Sequence, residues 1–157
     1  MTERHYGVAS REEIAGLSGI EMLRAMLAGR LPAPTMSQTL GFRLTEVGDG
    51  TVVFEGEPGP HLLNPLGSVH GGWALALIDS ATGCSVHSRL PAGLGYTTVE
   101  TKVNMTRPIL ADAGTVRTEG RVVSMGRQIA TAEAYIYSAD RKLLAHGTST
   151  VMILQPR

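Results

Sequence analysis

The chain predicts an α+β fold in which one antiparallel sheet curls around a single long helix. Three observations carry that expectation. Residues 71–89 are apolar nearly all round, which suits a buried helix and not one laid on a surface. Ahead of them, two alternating runs at 40–47 and 51–57 flank Gly48-Asp49-Gly50, a hairpin turn signal. Behind them, residues 95–107, 114–124, 128–138 and 143–153 read as four strands, with Pro108, Gly126 and Asp140 in the turns. In the first of these, Val99, Thr101 and Val103 alternate with Glu100, Lys102 and Asn104, as a sheet with one covered face requires.

The N-terminal part reads as one amphipathic helix. Ser10-Arg11-Glu12-Glu13 has the form of a capping box. Ile14, Leu17, Ile20, Leu23 and Leu27 follow at helical spacing, and Gly29, Pro32 and Pro34 end the element. Residues 1–35 are therefore expected to form a helical extension and residues 36–157 the main domain. Met22 and Met26 on this helix suit core filling, and they are also candidates for covering a pocket.

Bulk properties exclude several function classes. The 157 residues carry 14 basic and 14 acidic side chains, so the net charge is zero and no basic stripe addresses nucleic acid or an anionic membrane. The apolar run at 73–78 is too short to span a bilayer, and Met1-Thr2-Glu3-Arg4-His5 lacks the apolar core of a signal peptide. The single Cys84 has no internal disulfide partner, which points to a reducing, cytoplasmic setting. The five histidines do not cluster at ligand spacing, so neither a metal nor a cofactor is expected.

Chemistry concentrates in Asn64-Pro65-Leu66-Gly67-Ser68-Val69-His70-Gly71-Gly72 and in Asp79, nine residues after the histidine. A carboxylate set in so apolar a helix is costly unless it is paired, hydrogen-bonded or reactive. Gly71 and Gly72 leave backbone N–H groups uncovered at the helix start, where developing negative charge is favoured. These amides suit an oxyanion hole; a plain capping turn would look the same. On one regular helix, His70 and Asp79 would lie about 13 Å apart and face nearly opposite sides. A site using both needs a second copy of the chain and would straddle a two-fold interface.

That loop, with Asp79 and Asn104-Met105-Thr106-Arg107-Pro108, resembles the PaaI-type hotdog-fold acyl-CoA thioesterases, over about residues 36–153. The resemblance implies a hotdog fold and hydrolysis of an aromatic or medium-chain acyl-CoA to free acid and CoA. It implies that Asp79 is the general base or the nucleophile, and that the Gly71 amide polarises the thioester carbonyl with His70 beside it. It further implies that Asn64 orients the water or the loop, and that Thr98 contacts the attacking water from the opposite subunit. A homodimer with interfacial active sites, often paired into a tetramer, belongs to the same implication.

Arg107, Arg127 and Lys102 are candidate contacts for the CoA phosphates, although a solvated charge reads equally well. Trp73 and Leu77 are candidates for the acyl pocket, His61 reads as structural, and Cys84 with His87 lacks the third group of a nucleophile–base pair. For Asp79 itself the bland alternative is a buried carboxylate bonded to Ser80 or Thr82. Two other functions stay open: an acyl-thioester hydratase, which needs a differently spaced His and acid, and a non-catalytic acyl-CoA binding module, which has no need of Asp79.

Overall fold

The structure, a computed structural model, describes residues 5–155. Most of the N-terminal stretch read for a signal peptide, residues 1–4, lies outside the described residues. The elements run α1 (Arg11–Ile14), α2 (Gly19–Leu27), α3 (Thr35–Leu40), β1 (Phe42–Gly48), β2 (Thr51–Gly56), α4 (Gly71–His87), β3 (Gly95–Met105), β4 (Val116–Met125), β5 (Ile129–Tyr137) and β6 (Leu143–Leu154). A 3₁₀ turn at Pro60–Leu62 leads into the loop before α4. The six strands form one antiparallel sheet in the order β1-β2-β4-β5-β6-β3, with all neighbours antiparallel.

Helix α4 contacts β2, β3, β4, β5 and β6, as its lack of a polar face requires. Leu77, Ile78, Ala81 and Val86 are completely buried on it. Each large aliphatic side chain there contributes about 1.5–3 kcal/mol by leaving water. The helix starts at His70, whose Nδ1 accepts the Gly72 N–H at 2.9 Å. No helix among the described residues is long and apolar enough to cross a membrane.

The single N-terminal helix expected from the sequence is two. The capping box at Ser10 and Glu13 forms as read, with the Ser10 N–H donating to Glu13 Oε2 at 2.7 Å and the Glu13 N–H to Ser10 Oγ at 3.2 Å. It starts only one turn, because Gly16 adopts φ +76° and breaks the ladder. A second start follows at Ser18, whose N–H and hydroxyl both donate to Glu21 Oε2, at 2.8 and 2.6 Å. From α2, Leu23 reaches the core cluster that holds Trp73 and Ile78. A further short helix, α3, forms where no element was expected and takes in Leu40, the expected first residue of the first strand; Gly41 ends it in the left-handed region and β1 begins at Phe42.

Strand β3 also departs from strict alternation. Its pairing with β6 shifts register between Thr98 and Glu100, which leaves Val99 as a bulge, 57% exposed. The extra residue lets two side chains three positions apart, Thr98 and Thr101, face the same way.

Candidate active site

Helix α4 presents candidate residues on two sides, and the loop before it builds the first. The Asn64 side chain closes that loop on itself. Its Oδ1 accepts the Leu66 and Ser68 N–H groups at 2.9 and 3.3 Å, and its Nδ2 donates to Ser68 Oγ at 2.8 Å. The loop is then tied down from outside, with the Val69 N–H donating to the Ile109 carbonyl at 2.8 Å and the His70 N–H to that of Leu62 at 2.7 Å. With His70 Nδ1 accepting from Gly72, Nε2 is the ring nitrogen left to donate, and it has no partner among the described residues. The Gly71 N–H is one of the orphan donors of the helix start and finds no acceptor among the described residues.

Asn64, His70 and Gly71 line one cavity of about 300 Å³, together with Met105 and Arg107. Arg107 is exposed and donates through Nη1 to the Leu143 carbonyl at 2.8 Å, so its guanidinium is held at the rim. Lys102 and Arg127 are exposed on β3 and in the β4–β5 turn, and neither lines this cavity. Among the described residues, none of these three cations forms an ion pair; Arg117, by contrast, is held between Glu46 and Glu119 at 2.8 and 2.9 Å.

Asp79 lies on the other side, half-buried, in a second cavity of about 490 Å³ that Thr98 of the same chain also lines, where the resemblance implied a Thr98 reaching in from the opposite subunit. No residue lines both cavities. Nine residues of helix separate His70 from Asp79, and the two face apart, as helical geometry predicts.

The partner of Asp79 is one the sequence did not reveal. Oδ1 accepts the Thr101 hydroxyl at 3.1 Å, and that hydroxyl lies 2.9 Å from Ser149 Oγ, which lies 2.7 Å from Thr82 Oγ1. Each hydroxyl has one proton to give. With Thr101 donating to the carboxylate, Ser149 is left to donate to Thr101, and the one Thr82 proton is contested between Ser149 and the Ile78 carbonyl, which lies 2.9 Å away. Among the described residues neither Ser80 nor Thr82 bonds the carboxylate; the Thr82 hydroxyl reaches the Ile78 and Asp79 carbonyls, and the hydroxyl that Asp79 accepts comes from Thr101. The periodicity of β3 placed Thr101 inward, but pairing it with Ser149 depends on strand order.

The remaining sequence candidates fall elsewhere. Leu77 is buried in the core and lines neither cavity. Trp73 is 3% exposed and donates Nε1 to the Leu40 carbonyl at 2.7 Å. It faces a smaller cleft with His61 and His70. Cys84 and His87 do not pair. Burial pushes the Cys84 thiol up to about 12, beside the Tyr96 phenol, and burial holds His87 below its usual value. Such a thiol is not a nucleophile at neutral pH.

Comparison with known proteins places the chain in one family. The family model described as the thioesterase superfamily matches residues 66–145. Among solved structures, a phenylacetic acid degradation-related protein of Ralstonia eutropha JMP134 shares 30% identity, with a TM-score of 0.75 over 83% of this chain and 98% of that one. Conserved protein PA5202 of Pseudomonas aeruginosa shares 29% identity, with a TM-score of 0.72 over 93% of this chain and all of that one (100%). A variant of the phenylacetic acid degradation protein PaaI of Thermus thermophilus shares 28%, with a TM-score of 0.68 over 75% and 97%. No curated protein gave a match.

Proposed function

The chain belongs to the thioesterase superfamily, as a PaaI-type hotdog thioester hydrolase, and from that premise we propose that it hydrolyses acyl-CoA thioesters at sites shared between two subunits. The acyl group is aromatic or medium-chain, and the setting is the cytoplasm. One observation supports the shared site above others: Asp79 and the free Gly71 N–H stand on opposite sides of one helix, in separate cavities. A second copy brings one subunit's Asp79 to the other's Gly71. The outer edge of β3 is the open edge of the sheet at that end, and Leu75, Val99 and Met105 are 40%, 57% and 52% exposed. A long open edge beside exposed apolar side chains favours a second copy as its cover. Pairing of dimers into a tetramer follows the family resemblance.

In this reading, Asp79 takes the proton of a water that attacks the thioester carbonyl, with Thr98 contacting that water. The Gly71 amide holds the oxygen as it gains charge, and His70 helps to hold the carbonyl. The C–S bond then breaks, and CoA leaves as a thiolate that needs no strong acid. Direct attack by Asp79 would use the same carboxylate and give an anhydride that water opens. Arg107, beside the loop, contacts the CoA phosphates, and Arg127 and Lys102 join it from outside the cavity.

Release of free thiol from a panel of acyl-CoAs tests the assignment. Asp79→Asn is expected to lower kcat by about 10³-fold, the range for losing a positioned general base, with the oligomer intact. Full activity in a dimeric Asp79→Asn protein, or an active strict monomer, removes the mechanism.

A further inference from the structure

The larger cavity is roofed by the N-terminal segment. Its floor is the stripe of α4 that carries Asp79, Cys84 and His87, and its walls include Phe42 and Phe54. Over it stand Met22 and Met26, one helical turn apart on α2 and both half-buried. Helix α2 is seated firmly at its start. The Gly19 N–H donates to the Leu90 carbonyl at 2.9 Å, and a Cβ on Gly19 would lie 1.7 Å from the His87 carbonyl oxygen. Only glycine lets α2 approach α4 this closely. Leu23, 2% exposed, pins the next turn into the core.

We propose that Met22 and Met26 set the length of acyl chain the enzyme accepts, with an optimum at straight chains of about eight to ten carbons; this rests on the acyl-CoA reading above. The floor runs from Asp79 to His87, eight residues or about 12 Å of helix, room for on the order of ten carbons joined by bonds of about 1.5 Å. With the thioester carbon beside Asp79, a chain laid along this floor runs beneath Met22 and Met26. Beyond Asp79 the chamber presents mainly apolar side chains, and its volume of about 490 Å³ suits a chain more than a single short group. Methionine is unbranched and adaptable, so two of them form a roof that accepts a flexible chain yet ends it.

The test measures kcat/KM for CoA esters of 4, 8, 10, 12, 14 and 16 carbons with the full-length protein. The wild type is expected to peak at 8–10 carbons. Met22→Ala/Met26→Ala is expected to raise the 14-carbon to 8-carbon ratio about tenfold, and Met22→Phe to lower the 10-carbon to 4-carbon ratio by a similar factor. Met22→Leu/Met26→Leu keeps the packing and should keep the wild-type profile, with thermal melting and gel filtration reporting folding for every variant. A wild-type profile flat with chain length, or variants that move all esters by one factor, overturns the proposal while leaving the hydrolase reading in place. A wild type that cleaves no acyl-CoA ends both.

Discussion

Helix α4 joins two unlike regions. At its start, the Asn64 loop is fixed by hydrogen bonds from end to end, down to the His70 ring that caps Gly72. Along its middle, the chamber beside Asp79 is shaped by adaptable apolar side chains under the α2 roof, with one fixed point at the carboxylate. Hydrogen bonds have narrow geometry and hold a donor to within tenths of an ångström; packed methionines do not. In the proposed mechanism the region that meets a developing charge is the rigid one, and the region proposed to accept a carbon chain is the compliant one.

The sharpest way to break the contrast is to soften the rigid side. Asn64→Ala removes the side chain that three loop bonds use. Steady-state kinetics should show kcat down about 10²-fold, the cost of misplacing a catalytic group by about an ångström, with chain-length preference unchanged. An altered preference would show that the two regions are not separable.

Next comes the one fixed point of the compliant side. Thr101→Val keeps the shape but leaves Asp79 Oδ1 without its donor. Loss of a hydrogen bond to a charged group, about 1.5–3 kcal/mol, corresponds to a kcat about 10- to 100-fold lower. Thr101→Ser should restore most of it. Equal losses in the two variants would assign Thr101 to packing instead.

How much of this was legible in the sequence depends on distance along the chain. Asn64, His70, Gly71 and Asp79 sit within one short stretch, and the spacing of His70 and Asp79 alone placed those two on opposite sides of a helix. Thr101 and Ser149 meet Asp79 through the β3–β6 pairing, which single-chain periodicity does not specify. The even apolar spacing from Ile14 to Leu27 hid the break at Gly16, although Ser18 and Glu21 repeat the capping pattern already visible at Ser10 and Glu13. For Met22 and Met26 the sequence left core filling and pocket covering both open. Their place over the chamber favours covering, a matter of tertiary docking and not of local pattern.

The smallest expected effect concerns the far end of the chamber. His87 is kept below its usual value of 6.5 by burial, and its Nδ1 is buried without a hydrogen-bond partner among the described residues. The unfolded chain therefore takes up a proton near pH 6.5 that the folded chain resists. Stability contributed by the neutral ring is complete above that pH and is lost as pH falls below it. Urea midpoints at about pH 7.5 and 5.5, either side of the ordinary histidine value, should show a larger drop for the wild type than for His87→Gln. Identical drops would mean the histidine is not the responsible group.

The bulge at Val99 works as a half-step phase change in the pleat of β3. Upstream of it Thr98 looks inward in one phase, and downstream Thr101 does so in the other. Excising that one residue would bring the strand back to a single beat, and one of the two side chains would then have to leave the face that looks toward the Asp79 cavity. Length, and not only composition, is under constraint at this point of the chain.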